Sequence, residues 1–156
     1  QQILLGSQYS NMYMTFRIFS FDKNGDFSIF GNDHAEPFIC RNNDGGITPI
    51  PSSGFLLGIV NNAVNNNEND CYNFKLEKDD LFVLYSDGIT EAKLKFNERN
   101  KDSKEVPLFG ETKLHEIISM NREDSPSDII NTVISEVDKW TDEQHDDISI
   151  VVLKKV

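Results

Sequence analysis

Apolar and polar residues alternate along Tyr13-Met14-Thr15-Phe16-Arg17-Ile18-Phe19-Ser20-Phe21, and the run is rich in aromatic and β-branched side chains. A period of two predicts a strand with one buried face. Phe27-Ser28-Ile29-Phe30 continues it after Asp22-Lys23-Asn24-Gly25-Asp26. Asn-Gly between two such runs predicts a hairpin of type I′, whose central residues both need positive φ. A second hairpin is expected from Pro37–Arg41 and Ile47–Ile50 around Asn42-Asn43-Asp44-Gly45-Gly46. Cys71–Leu76 alternates as a strand, and Lys78-Asp79-Asp80 reads as a turn. Leu81-Phe82-Val83-Leu84-Tyr85-Ser86 is almost continuously apolar, so it is expected to be buried on both faces.

The period then changes. Leu114, Ile117 and Ile118 share one helical face after Leu108-Phe109-Gly110. A second helix has a marked start: Ser125 as cap, Pro126 in the first turn and Asp128 at the capping-box position. Ile129, Ile130, Val133, Ile134, Val137 and Trp140 fall on one stripe of it. Ile148–Leu153 returns to strand. The polar segments 61–70 and 93–107 read as loops, and Ile3-Leu4-Leu5 as the tail of a helix. Strands, then two helices, then a strand predict an α+β fold of packed helix and sheet layers.

Composition narrows the function. The 156 residues hold 15 Lys+Arg against 26 Asp+Glu, a net charge of -11. That field opposes binding to nucleic acid or an anionic membrane, so neither is expected as a partner. No apolar run approaches the roughly 18–20 residues of a membrane span. Cys40 and Cys71 make neither a disulfide framework nor a zinc motif. With no signal-peptide pattern after Gln1, the expected setting is cytoplasmic, in a segment of a larger protein that can itself be membrane-attached.

Two acidic positions stand out. Asp87-Gly88 follows the buried-type strand, and Asp146-Asp147 immediately precedes the last strand. If those strands are neighbours, their carboxylates converge, and converging hard oxygens suit Mg²⁺ or Mn²⁺. Ordinary turns account for the same residues. Asp22–Asp26 superficially resembles a calcium loop, but the sixth position holds Phe27 where glycine is needed. His34 reads as structural and His115 as a solvated helix position. Ser86 lacks the Gly-x-Ser-x-Gly context of a nucleophile elbow.

Leu81-Phe82-Val83-Leu84-Tyr85-Ser86-Asp87-Gly88-Ile89-Thr90-Glu91-Ala92 resembles the "LlLYTDGvtEA" stretch of bacterial SpoIIE/RsbU-type metal-dependent protein phosphatases, members of the PPM or phosphatase 2C-like superfamily. Met12–Phe16 is similar to "mfvT", and Asp33–Ile39 to "GHnPPll". Gly54–Ile59 is similar to "G.pLGi", Leu108–Gly110 with Leu114 to "fG.erL", and Asp146–Leu153 to "DDiTllvl". The motifs keep their order from Met12 to Leu153.

The resemblance implies an αββα sandwich of two antiparallel sheets flanked by helices, with 1–156 a single, partial domain of this type. It implies hydrolysis of phosphoserine or phosphothreonine in a bacterial signalling protein, with two Mn²⁺ or Mg²⁺ ions activating the water. Asp87 and Asp146 match the two late metal ligands. Asp147, Gly88, Glu91 and His145 are candidates for the surrounding shell. A phosphoprotein is the implied substrate, with an anti-anti-sigma-type regulatory domain as the model case.

Two departures stand against this pattern. The family's "GGDfyD" and "GDvsGHG" strands, which carry the remaining metal ligand, have no counterpart here, and Asn32-Asp33 precedes His34 where the family has glycine. The expectation is therefore a domain lacking its N-terminal part and inactive alone, its open sheet edges favouring homodimers or strand exchange. The alternative is a non-catalytic regulatory or protein-binding module that retains the fold.

Overall fold

The computed structural model describes residues 16–32, 35–51, 72–95 and 106–156. The expectations for residues 3–5, 12–15, 33–34, 54–59 and 61–70, and for Cys71, lie outside them. The chain divides into two compact units, Gln1–Glu36 with Pro51–Leu76, and Pro37–Ile50 with Glu77–Val156.

The first unit holds a three-stranded antiparallel sheet. Its strands are β1 (Phe16–Phe21), β2 (Asp26–Asn32) and β5 (Tyr72–Lys75), in the order β1-β2-β5. Phe21 pairs with Phe27 and Phe27 with Phe74. The three rings stack at centroid distances of 5.2 and 5.5 Å. The hairpin forms where expected, but its turn is not type I′. Gly25 has φ +90, and Asn24 is not among the residues with positive φ. The Asp22 N–H donates to the Asp26 carbonyl at 2.9 Å and the Gly25 N–H to the Asp22 carbonyl at 3.2 Å. That is a three-residue loop, a type I turn closed by a left-handed glycine. The Asp22 carboxylate favours it by accepting from the Asn24 and Asp26 amides at 2.8 and 3.0 Å.

The second unit holds a four-stranded antiparallel sheet. Its strands are β3 (Phe38–Cys40), β4 (Ile47–Pro49), β6 (Leu81–Tyr85) and β7 (Ile150–Lys154), in the order β4-β3-β6-β7. Pro49 lies on an edge strand, where its missing N–H costs no ladder bond. Leu81, Phe82 and Val83 are fully buried, as the unbroken apolar run of β6 requires. β7 is one-sided: Val152 is buried, while Val151 and Leu153 are exposed.

The helices are α1 (Asp87–Thr90), α2 (Gly110–Met120) and α3 (Pro126–Trp140). The short α1 was not expected from the sequence, because four residues carry no periodicity. Leu114 and Ile118 of α2 and Ile129, Val133 and Val137 of α3 have no exposed surface. Complete burial of such side chains stabilises the fold by about 1.5–3 kcal/mol each before entropy is counted. Ser125 caps α3 by accepting from the Asp128 N–H at 3.2 Å. The capping box is only half built, since Asp128 Oδ2 accepts from the Ser125 hydroxyl at 2.6 Å. Trp140 closes α3 onto the end of α1, its Nε1–H donating to the Ala92 carbonyl at 3.1 Å.

The turn expected at Lys78-Asp79-Asp80 is present, and Asp80 at its end is buried. Its carboxylate accepts from Arg41 at 2.6 Å, from the Asn42 amide at 3.0 Å and from the Glu77 amide at 2.9 Å. His115 is half-buried and meets the Phe38 ring edge-on at 4.5 Å, so it is not a solvated helix residue. Among the described residues no helix is long and apolar enough to cross a membrane.

Candidate active site

The register of β6 and β7 decides which residues meet. Tyr85 pairs with Ile150, so the residues following β6 run beside those preceding β7. Ser86 joins the two segments. Its N–H donates to the Ser149 carbonyl at 2.9 Å. Its hydroxyl donates to the Asp147 carbonyl at 2.9 Å and accepts from the Ser149 N–H at 2.9 Å. A hydroxyl engaged in this way is a clamp, in line with the absence of a nucleophile motif.

Gly88 lies directly against the other segment. A Cβ there would overlap the Asp147 carbonyl oxygen and come within 3.1 Å of the Asp146 carbonyl oxygen. Only a residue without a side chain fits without displacing one of the segments. The structure therefore brings the main chain at Asp87-Gly88 against that at Asp146-Asp147, as neighbouring strands require.

Asp87 opens α1 and is exposed. Asp146 and Asp147 are exposed as well, and Asp146 Oδ1 accepts from the Asp147 N–H at 2.8 Å. Glu91 is exposed at the end of α1, its N–H donating to the Asp87 carbonyl at 2.7 Å. A cleft of about 190 Å³ opens beside this seam. Gly88, Glu91, Ala92, Lys93, Gln144, His145 and Asp146 line it, whereas Asp87 and Asp147 do not. Gln144 donates its side-chain amide to the Gly88 carbonyl at 3.3 Å and also to the Asp146 carbonyl. No motif in the sequence points to Gln144 or Lys93. Their only signal there is proximity, two residues from Asp146 and from Glu91.

Among the described residues, no group of three or more His, Cys, Asp and Glu side chains gathers to hold a metal ion. Asp87 and Asp146 offer the hard oxygens that Mg²⁺ or Mn²⁺ prefers, but such ions take about six oxygen ligands. The donor set matches in kind and only in part in number.

The mixed helix-and-sheet fold with two antiparallel sheets matches that of PP2C-like phosphatase domains. The family model for stage II sporulation protein E (SpoIIE) matches residues 1–156, and the chain belongs to that family. One similar solved structure holds the PP2C phosphatase domain and a fragment of the regulatory domain of SpoIIE from Bacillus subtilis. It has 20% identity and a TM-score of 0.67 over 96% of this chain and 40% of that one. The manganese-presoaked phosphatase domain of the same Bacillus subtilis protein has 19% identity and a TM-score of 0.63, over 98% and 62%. The RsbU and RsbW domains of Rv1364c from Mycobacterium tuberculosis have 16% identity and a TM-score of 0.55, over 90% and 36%. At these identities the likeness concerns the fold, and the chain spans less than two thirds of each structure. No curated protein matches the sequence.

Proposed function

We propose that the 156 residues form part of one metal-dependent protein phosphatase domain that hydrolyses phosphoserine or phosphothreonine in a signalling protein. The observation that carries this reading is the apposition of Gly88 with Asp146 and Asp147, which sets two acidic positions on either side of one backbone seam. Membership of the SpoIIE family supports it.

Asp87 and Asp146 are the metal-holding carboxylates in this reading. Ser86 fixes the seam between them. Asp147, Glu91 and His145 surround it, and Gly88 permits the close approach. Two bound Mn²⁺ or Mg²⁺ ions would supply an activated water and neutralise phosphoryl oxygens. The reaction forms one P–O bond from water and breaks the ester P–O bond, and the released side-chain oxygen leaves as a hydroxyl. The substrate is a phosphoprotein, with a small regulatory domain of the anti-anti-sigma type as the model case. Because the donor set among the described residues is partial, the 156 residues alone are expected to bind Mn²⁺ weakly and to turn over little.

The test has two parts. Hydrolysis of p-nitrophenyl phosphate with Mn²⁺ is expected to stay near background for the 156-residue chain. Robust turnover that Asp87→Asn removes would overturn the partial site. Electron paramagnetic resonance of added Mn²⁺ is expected to show weak binding that Asp87→Asn and Asp146→Asn each reduce. Binding that survives both substitutions would overturn the assignment of these residues and favour a protein-binding module.

A further inference from the structure

The cleft beside the seam is acidic on two sides, through Glu91 and Asp146. A phosphomonoester is itself anionic, so these carboxylates repel the substrate that the proposed function requires. Among the described residues lining the cleft, Lys93 is the one Lys or Arg. Its side chain is exposed, and its ammonium has no ion-pair partner among the described residues. The neighbouring Lys95 differs, being paired with Asp142 at 3.1 Å and absent from the cleft lining.

The base of Lys93 is fixed. It forms an antiparallel bridge with Leu108. On either side, the Leu94 N–H donates to the Pro107 carbonyl at 2.9 Å and the Phe109 N–H to the Ala92 carbonyl at 2.8 Å. Ala92 is further held by the Trp140 indole at 3.1 Å. A short ladder of this kind sets where the side chain starts, while the four-carbon stem leaves its tip free to reach a ligand.

From this placement we infer that Lys93 is the substrate-anchoring cation of the cleft, taking the phosphoryl oxygens of the phosphoserine or phosphothreonine substrate. The inference rests on the phosphatase reading and adds a protein cation that contacts the phosphoryl oxygens beside the metal ions. Lys93 is a binding residue that leaves metal retention to the carboxylates. An ammonium acts as a point charge here, so arginine keeps the charge and alanine loses it.

The test uses the 156-residue chain, phenyl phosphate as probe and no added metal, followed by ¹⁵N–¹H correlation spectra. Amides around Gly88, Lys93 and His145 are expected to shift on titration. Lys93→Ala should weaken binding about fivefold, equivalent to about 1 kcal/mol for an exposed ion pair. Lys93→Arg should restore it, and Lys95→Ala, which removes the same charge nearby, should leave it unchanged. Equal binding by wild type and Lys93→Ala, or an equal loss in Lys95→Ala, would overturn the proposal. This readout is independent of Mn²⁺ binding, so a failed Lys93 assignment is distinct from a failed Asp87 and Asp146 assignment.

Discussion

Gly88 faces the Asp147 carbonyl at a separation that leaves no room for a methyl group. The contact is with main chain, which cannot rotate away as a long side chain would. Gly88→Ala must therefore push α1 away from the segment before β7, or distort both. Overpacking of this kind costs about 1–3 kcal/mol. Urea unfolding should show that loss, and amide resonances of residues 146–149 should move. Gly110→Ala is the comparison. Gly110 has φ +77 with nothing within 4 Å of an added Cβ, so only the left-handed backbone penalty of about 1–2 kcal/mol applies. Its substitution should leave residues 146–149 unmoved. Unshifted resonances in Gly88→Ala would mean that the seam tolerates a side chain.

The buried Asp80 supports a second prediction. Its side chain is 4% exposed, and that of its partner Arg41 is 33% exposed. Replacing Asp80 with alanine leaves the part-buried Asn42 and Glu77 amides without their acceptor, while Arg41 retains access to water. The expected destabilisation is about 2–4 kcal/mol, below the upper range for a fully buried pair. Arg41→Ala should cost less, because the Asn42 and Glu77 amides still bind the carboxylate. Equal losses in the two variants would show that the ion pair, rather than the amide acceptor, dominates.

These residues also mark what the sequence makes legible. Strand β6 and helix α3 are readable because their burial follows from local pattern: an unbroken apolar run, and a stripe behind a Ser-Pro start. The pairing of the segments at Asp87 and Asp146 follows once β6 and β7 are neighbours, and the register bears that neighbourhood out. Asp80 and His115 are not readable in this way. Each owes its burial to a partner distant in sequence, Arg41 and Phe38. The turn at Asn24-Gly25 departs from type I′ for another reason. A side chain just outside the dipeptide, Asp22, captures the local amides and selects a longer loop. Lys93 and Gln144 belong to the cleft only because α1 and the segment before β7 are brought together, which no local motif announces.

His115 carries the pH dependence. Burial lowers its pKa from the ordinary 6.5, and the Glu111 carboxylate opposes that shift only in part. The Phe38 ring packs against it at 4.5 Å between ring centroids. The folded chain thus binds the imidazole proton less readily than the unfolded chain. Stability therefore rises with pH through the interval between the lowered folded value and 6.5, and is flat above it for this group. As pH falls below 6.5, the unfolded state gains protons first and stability declines, until the folded imidazole is protonated as well. Urea unfolding from pH 5 to 8, roughly the range in which histidine titrates, should show this slope in the wild type. The difference between wild type and His115→Gln isolates the contribution of this imidazole. Parallel curves for the two proteins would mean that His115 is as readily protonated folded as unfolded, and that its packing against Phe38 opens on the timescale of titration.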